Sequence, residues 1–408
     1  MNSGASGENL NASPPGPGRP LRVALVAGET SGDLLGAALM AALRARRPDV
    51  QFIGVAGPRM RAQGCELLAD SEQLAVMGLF EVLAHLPRLL VLRAQLRRQI
   101  LAAEPDVFVG VDFKEFNLAL AAQLKLAGLR TVQYVSPQVW AWRPGRVRTI
   151  ARACDLILCL LPFEPPFYAG QAVRARFVGH PMADELPLLP DRIAARQALQ
   201  LDAERPVVAL LPGSRMSEVQ RLGLDYIATA DWLAQRRPQL QFVVPLASAR
   251  VAAEFRRLQQ RAAQLGMQPP MRLLDGQART ALQAADVALV ASGTATLEAA
   301  LCGTPMAVAY RLGTLTAWLL RKFNLVKVQN FALPNLLAGE TLVPEFFQEQ
   351  VQPQALGAAL LALLDDPARR RRLSERFAAI HLQLRQGGAE AAAGAVLELL
   401  AQQPGAGP

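Results

Sequence analysis

The feature that most constrains this chain is an alternation, met twice, of short runs apolar throughout with longer stretches of helical period. Leu21–Ala27 (LRVALVA), Val50–Ala56 (VQFIGVA), Asp106–Asp112 (DVFVGVD), Arg130–Ser136 (RTVQYVS) and Asp155–Leu161 (DLILCLL) read as strands. Helical patterns such as Leu34–Arg47, Leu89–Ala103 and Phe116–Ala127 lie between them. A strand apolar on both sides must be covered on both faces, and helices between consecutive strands make the sheet parallel. The series breaks at FVGHPMADELPLLPDR, where Pro181, Pro187 and Pro190 mark a linker. It restarts with Pro206–Ser214, Leu240–Leu246, Asp286–Ser292 and Pro305–Tyr310, and the tail from Gln352 to Gln402 is nearly all helical. The expectation is an α/β protein of two doubly wound domains facing a central cleft. A disordered segment over 1–20 precedes domains over 21–185 and 186–365. A helical tail over 366–408 is expected to pack back on the first domain.

Of the 408 residues 51% are hydrophobic and 19% charged, which is a globular composition on the apolar side. The formal charge of +9 attracts phosphates, nucleic acid or anionic membranes. Nucleic acid is disfavoured, because the basic residues are dispersed and no recognition motif accompanies them. Cys65, Cys154, Cys159 and Cys302 form no CxxC pair and no metal-ligand spacing with the three histidines. They read as buried reduced thiols of a cytosolic protein. The first twenty residues contain no apolar signal-peptide core, and no run of 18 apolar residues occurs anywhere. Any membrane association is therefore expected to be peripheral.

In open parallel sheets ligands sit beyond the carboxyl ends of the strands, where helix starts present bare N–H groups. Three loops have that placement. The first, in VALVAGETSGDLLG (Val23–Gly36), carries Glu29, Ser31, Gly32 and Asp33 and is neither GxGxxG nor a P-loop. The second strand ends in AGPRM rather than in an acid, which disfavours nicotinamide chemistry. Ser31 and Asp33 read equally as helix caps or as groups that grip the hydroxyls of a sugar-like ligand. The second loop, in LLPGSRMSEVQRL (Leu210–Leu222), joins Gly213, Ser214 and Arg215 at a helix start, an arrangement suited to phosphate oxygens. In the third, ASGTATLEAALCGTPMAVAY (Ala291–Tyr310), Ser292, Gly293 and Thr294 open a helix. Glu298 follows one turn in, where a carboxylate could take both hydroxyls of a ribose. Two phosphate-directed loops and a ribose carboxylate point to a nucleotide diphosphate. No DxD occurs in the chain, which disfavours a metal-dependent, single-domain sugar transferase. The departing diphosphate would then be stabilised by cations and helix dipoles.

VGVDFKEFN places Asp112 at the end of a strand, followed by Glu115 and Asn117. Asp112 reads either as a base for an acceptor hydroxyl or as a helix cap with Glu115 at the capping-box position.

Taken together, AGETSGDLLG, VGVDFKEFN, YVSPQVWAWRPGR, PFE, FVGHPMAD, LLPGSR, ASGTATLE and LPNLLAG resemble, in order and from Val23 to the late tail, the motifs of the lipid-A-disaccharide synthase family. The resemblance implies the GT-B type of architecture, two Rossmann-like domains about a cleft. It implies an inverting transfer from UDP-2,3-diacylglucosamine to 2,3-diacylglucosamine 1-phosphate (lipid X), forming the β-1,6 lipid A disaccharide 1-phosphate and UDP. It also implies no metal and no cofactor. By the same resemblance Asp112 is the catalytic base, and Arg215 belongs to the donor loop. Glu298 falls where related folds hold the ribose, and Asn335 of LPN lies near the donor. One departure is Lys114, where the family commonly has proline. On this reading Glu29, Ser31, Gly32 and Asp33 line the acceptor's side.

Both substrates would carry acyl chains. Leu79, Phe80, Leu83 and Leu86, edged by Arg88, Arg93, Arg97 and Arg98, are the candidate acyl and membrane contact. By periodicity alone the same stretch reads equally as a core helix with a basic face. Trp142 and Arg143 in VWAWRPGR stand as a wall of the acceptor site or as the packing of a loop with a basic rim. The expected setting is cytoplasmic, peripherally on the inner membrane, with a homodimer left open. An epimerase acting on a UDP-sugar and a non-catalytic lipid- or nucleotide-binding protein are the rival readings.

Overall fold

The computed structural model describes residues 19–70, 82–137, 146–313 and 330–402, with backbone alone at 70 and 82–88. The chain forms two compact units, one of Met1–Pro181 with Arg385–Pro408, the other of Met182–Leu384.

The first unit is built on seven parallel strands: β1 (Arg22–Ala27), β2 (Gln51–Ala56), β3 (Cys65–Asp70), β4 (Val107–Val111), β5 (Arg130–Tyr134), β6 (Leu156–Cys159) and β7 (Arg174–Phe177). Their order is β3-β2-β1-β4-β5-β6-β7. Successive residues of β1 serve opposite faces. Val23, Leu25 and Ala27 pack with Leu35, Leu39 and Leu43 of the helix Thr30–Arg46, and with Ala392 and Val396 of the C-terminal helix Gly388–Ala401. Ala24 and Val26 pack with Leu96 and Ile100 on one helix and Leu120 and Leu124 on another. Burial on both faces is why these strands read as unbroken apolar runs. Each fully buried leucine contributes ~1.5–3 kcal/mol by leaving water.

The second unit carries six parallel strands, β8 (Val207–Leu211), β9 (Gln241–Leu246), β10 (Met271–Asp275), β11 (Val287–Ala291), β12 (Met306–Tyr310) and β13 (Glu345–Phe347). They run in the order β10-β9-β8-β11-β12-β13. Val219, Leu222, Tyr226, Ile227 and Leu233 form the buried stripe of its long helix Met216–Arg236.

Both sheets therefore reverse their winding next to their first strand, between β1 and β4 and between β8 and β11. Such a reversal opens a crevice at the carboxyl ends of the two strands. Ala27 pairs with Val111, so Gly28 and Asp112 begin neighbouring loops. Leu211 pairs with Val290, which sets Gly213 and Ser292 close by in the other sheet. All four cysteines are buried and unpaired. Burial pushes the Cys65, Cys154 and Cys302 thiols up to about 12, so they stay protonated at neutral pH. Among the described residues no helix is long and apolar enough to cross a membrane.

Candidate active site

At the first reversal the two loops singled out in the sequence meet. Ser31 Oγ donates a hydrogen bond of 3.1 Å to Asp112 Oδ2, across 81 positions of chain. Glycine permits the approach. A Cβ at Gly28 would lie 2.7 Å from Phe113 Cγ, and one at Gly32 would lie 3.1 Å from the Val111 carbonyl oxygen. Asp112 and Phe113 both have left-handed backbone, with φ of 51° and 37°. The Asp112 N–H still bonds to the Tyr134 carbonyl at 2.9 Å, so the turn begins at the end of the β4–β5 ladder.

The Asp112 side chain does not cap the following helix. The cap position falls to Phe113, with no side-chain hydrogen bond. Among the described residues the Ser31 hydroxyl is the only hydrogen-bond donor to the Asp112 carboxylate. Glu115, expected at a capping box, takes both terminal nitrogens of Arg146 at 2.7 and 2.6 Å. That hydrogen bonding holds the Arg146 pKa above its usual value.

Of the two readings of Asp33, the structure shows the cap, though of a different helix from its own. Its two carboxylate oxygens accept from the N–H groups of Arg59 and Met60, each at 2.9 Å, and the residue is only 3% exposed. It caps the short helix Pro58–Ala62 from a distance, with each oxygen accepting a main-chain N–H. Gly57 makes room for it, since a Cβ there would meet Asp33 Cγ at 2.6 Å. Glu29 is exposed and makes no capping bond to the helix it precedes.

At the second reversal Gly213, Ser214 and Arg215 lie where the sequence indicated, but the expected N–H cup is filled. Glu218 Oε2 accepts from the N–H groups of Ser214 at 3.0 Å and Arg215 at 3.2 Å. Gly213 has φ of 123°, and a Cβ there would meet Glu218 Cβ at 2.4 Å. The glycine thus makes room for Glu218. The Arg215 side chain points outward and is 82% exposed. Tyr310, at the end of β12, has its hydroxyl pKa raised by burial first and by the Glu218 charge second.

The third loop is the open one. Gly293 caps the helix Thr294–Leu301 with φ of 142° and no side-chain hydrogen bond, and a Cβ there would meet nothing within 4 Å. Ser292 continues the ladder through its N–H to the Ala309 carbonyl at 2.9 Å. Glu298 is bound by Arg279 Nε at 3.1 Å, and the same guanidinium reaches Glu185 at 2.9 Å. Burial works against the Arg279 charge, but the bonds to Glu185 and Glu298 outweigh it and hold its pKa up. Arg279 was not visible as a site residue in the sequence, since nothing near it marks a motif.

Asn335 has a structural use of its own. It is fully buried, and its amide is saturated. Nδ2 donates to the Val343 carbonyl at 2.9 Å and to Glu345 Oε1 at 2.6 Å, while Oδ1 accepts from the N–H groups of Leu342 and Val343 at 2.8 and 2.9 Å. Glu345 Oε2 in turn accepts from Phe331 and Ala332. The LPN motif locks a turn through the Asn335 amide. Trp142, Arg143, Leu79 and Phe80 lie outside the described residues, as do the side chains of Leu83 and Leu86.

A family model described as lipid-A-disaccharide synthetase matches residues 23–398. The lipid-A-disaccharide synthase of Chromohalobacter salexigens is 51% identical over 383 residues, covering 93% of this chain and 97% of that protein. Two solved structures share the fold at low identity. One is the glycotransferase of kitacinnamycin, with TM-score 0.60 and 19% identity over 94% of this chain and all of that one. The other is the Anabaena Alr3699/HepE protein in complex with UDP and glucose, with TM-score 0.54 and 17% identity over 92% and 99%. The two parallel-sheet domains are thus those of GT-B glycosyltransferases, and the chain belongs to the lipid-A-disaccharide synthase family.

Proposed function

We propose that this chain transfers 2,3-diacylglucosamine from UDP to the 6-hydroxyl of 2,3-diacylglucosamine 1-phosphate, forming the β-1,6 lipid A disaccharide 1-phosphate and UDP. Family membership supplies the substrates. The observation that carries the chemistry is the Asp112 carboxylate, held up on a left-handed turn at the end of a central strand with the Ser31 hydroxyl as its partner. Asp112 takes the proton of the acceptor hydroxyl as its oxygen attacks the anomeric carbon from the side opposite UDP. The bond from that carbon to the phosphate oxygen breaks, its electron pair leaves with UDP, and the configuration inverts. Arg215 and the uncapped N–H groups at Thr294 stabilise the departing diphosphate. Glu298 serves the ribose through the oxygen that Arg279 does not take. Glu29 and Ser31 serve the acceptor. No metal and no cofactor is called for.

The setting we propose is the cytoplasmic face of the inner membrane, held peripherally. Its support is the helix Val82–Ala102, where Leu90 and Val91 are 45% and 68% exposed beside Arg93 and Arg98. Mass spectrometry of the product made from the two acylated sugars, with and without EDTA, tests the reaction. The disaccharide 1-phosphate is expected in both. Release of UDP that does not require the acylated acceptor would remove the proposal in favour of an epimerase-like reaction.

A further inference from the structure

Beneath the Asp112 turn lie two fully buried amides that the chemistry above does not use. Gln133 is on β5 and Asn117 is in the helix Lys114–Leu126. Asn117 Nδ2 faces three carbonyl oxygens: Val26 at 3.1 Å, Val111 at 3.3 Å and Asp112 at 3.0 Å. Gln133 Nε2 faces three others: Asp112 at 3.0 Å, Tyr134 at 3.2 Å and Val135 at 3.4 Å. Three acceptors around each NH2 group fix which way the amide points. The opposite atoms, Asn117 Oδ1 and Gln133 Oε1, are buried without a hydrogen-bond partner. Both amides converge on one atom, the carbonyl oxygen of Asp112. Gly110 below them leaves the space, since a Cβ there would lie 2.8 Å from Asn117 Cβ and 3.0 Å from Gln133 Oε1.

This arrangement addresses a specific difficulty. A non-glycine residue with φ near 51° sits in a sparsely populated conformation, and it persists only where its surroundings hold it. Two donors drawing the Asp112 carbonyl inward do so. They fix the peptide orientation that sends the side chain outward toward Ser31. We infer that Gln133 and Asn117 are positioning residues for the proposed base, acting on Asp112 through its main-chain oxygen. The inference rests on the reading of Asp112 as that base.

The test is a cycle on the full-length protein with Gln133→Met, Asp112→Asn and the pair. Methionine keeps the shape of glutamine, removes its N–H donors and also removes a buried oxygen that lacks a partner. A loss of stability is therefore not the expected result. Gln133→Met is expected to lower kcat by about 10- to 100-fold, the scale of a reacting group displaced by an ångström or less. KM for the UDP-sugar and the affinity for UDP should change less than about twofold, and Tm by a few degrees at most. On the Asp112→Asn background the same change should cost nothing further, because it acts through the missing carboxylate. Asn117→Leu is expected to behave in the same way.

Near-normal turnover of Gln133→Met beside a crippled Asp112→Asn overturns the positioning role and leaves the base assignment standing. Losses that multiply in the double variant overturn it as well. So does a fall in Tm beyond about 10 °C, which would make Gln133 a fold residue. Near-normal turnover of Asp112→Asn instead removes the base itself.

Discussion

At the reversal of the first sheet a carboxylate stands clear, and at the reversal of the second a carboxylate is drawn in. Asp112 occupies the residue just after its strand, on left-handed backbone, with only the Ser31 hydroxyl donating to it among the described residues. Glu218 occupies the first turn of its helix and folds back on the N–H groups of Ser214 and Arg215. The strand order around each reversal is the same. What differs is where the acid stands relative to the helix start. An acid before the helix, lifted by a strained turn, is left to act on a ligand. An acid three residues into the helix satisfies the helix's own donors, as a capping box does, and leaves its neighbouring cation outward. One reversal thus presents an anion and the other a cation, which suits a proton acceptor and a diphosphate holder respectively.

The largest break in that contrast is Asp112→Asn. Asparagine keeps the shape and accepts from Ser31 but takes up no proton. Turnover is expected to fall by about 10²- to 10⁴-fold, the usual share of a general base. Calorimetry should find the affinity for UDP unaltered, because the loops proposed for UDP belong to the other unit. Turnover within a few-fold of the parent would show that this half-buried carboxylate is not the base. Next in size is Arg215→Ala. Charge-assisted hydrogen bonds to a phosphate contribute about 1.5–3 kcal/mol, so UDP should bind about 10- to 100-fold more weakly. An unchanged dissociation constant in the same calorimetric titration would mean that the outward cation of the second reversal does not face the diphosphate.

How legible these features were in the sequence follows from burial. The nine strands inside the two sheets, from β1 with Val23 and Leu25 to β12 with Met306 and Val308, are covered on both faces and read as apolar runs. The four that did not read as strands, β3, β7, β10 and β13, are the sheet edges. Their residues are partly exposed: Arg174 and Arg176 of β7 and Arg272 of β10 sit among apolar neighbours and interrupt the pattern. The loops were legible because motif and strand end coincide, and the meeting of Ser31 with Asp112 follows from strand order. The partners of Asp33, Glu218 and Asn335 were not, although Asp33 was open to reading as a cap, since each bonds to main-chain N–H groups that only the folded path brings near: Arg59 and Met60, Ser214 and Arg215, Leu342 and Val343. A polar residue in a motif looks the same in sequence whether it serves a ligand or a backbone turn. Gln133 was hidden for the complementary reason, as a lone amide in an apolar strand with no motif around it.

The finest test of the contrast is Glu218→Gln. Glutamine can still accept through one oxygen from the N–H groups of Ser214 and Arg215, so the loop should keep its path. It removes a negative charge beside the arginine that we propose meets the diphosphate. Like charges at a partly exposed site repel by no more than about 1 kcal/mol, so UDP should bind about two- to fivefold more tightly. The gain should shrink as salt is raised from 0.05 to about 0.5 M, where screening falls to a few ångströms. A weaker affinity would reverse the argument: the Glu218 charge would then be what aims Arg215, through their 3.6 Å contact, and the drawn-in acid would be part of the phosphate site. No change at either salt would place the phosphates beyond reach of Glu218, leaving the uncapped helix start at Thr294 to hold them alone.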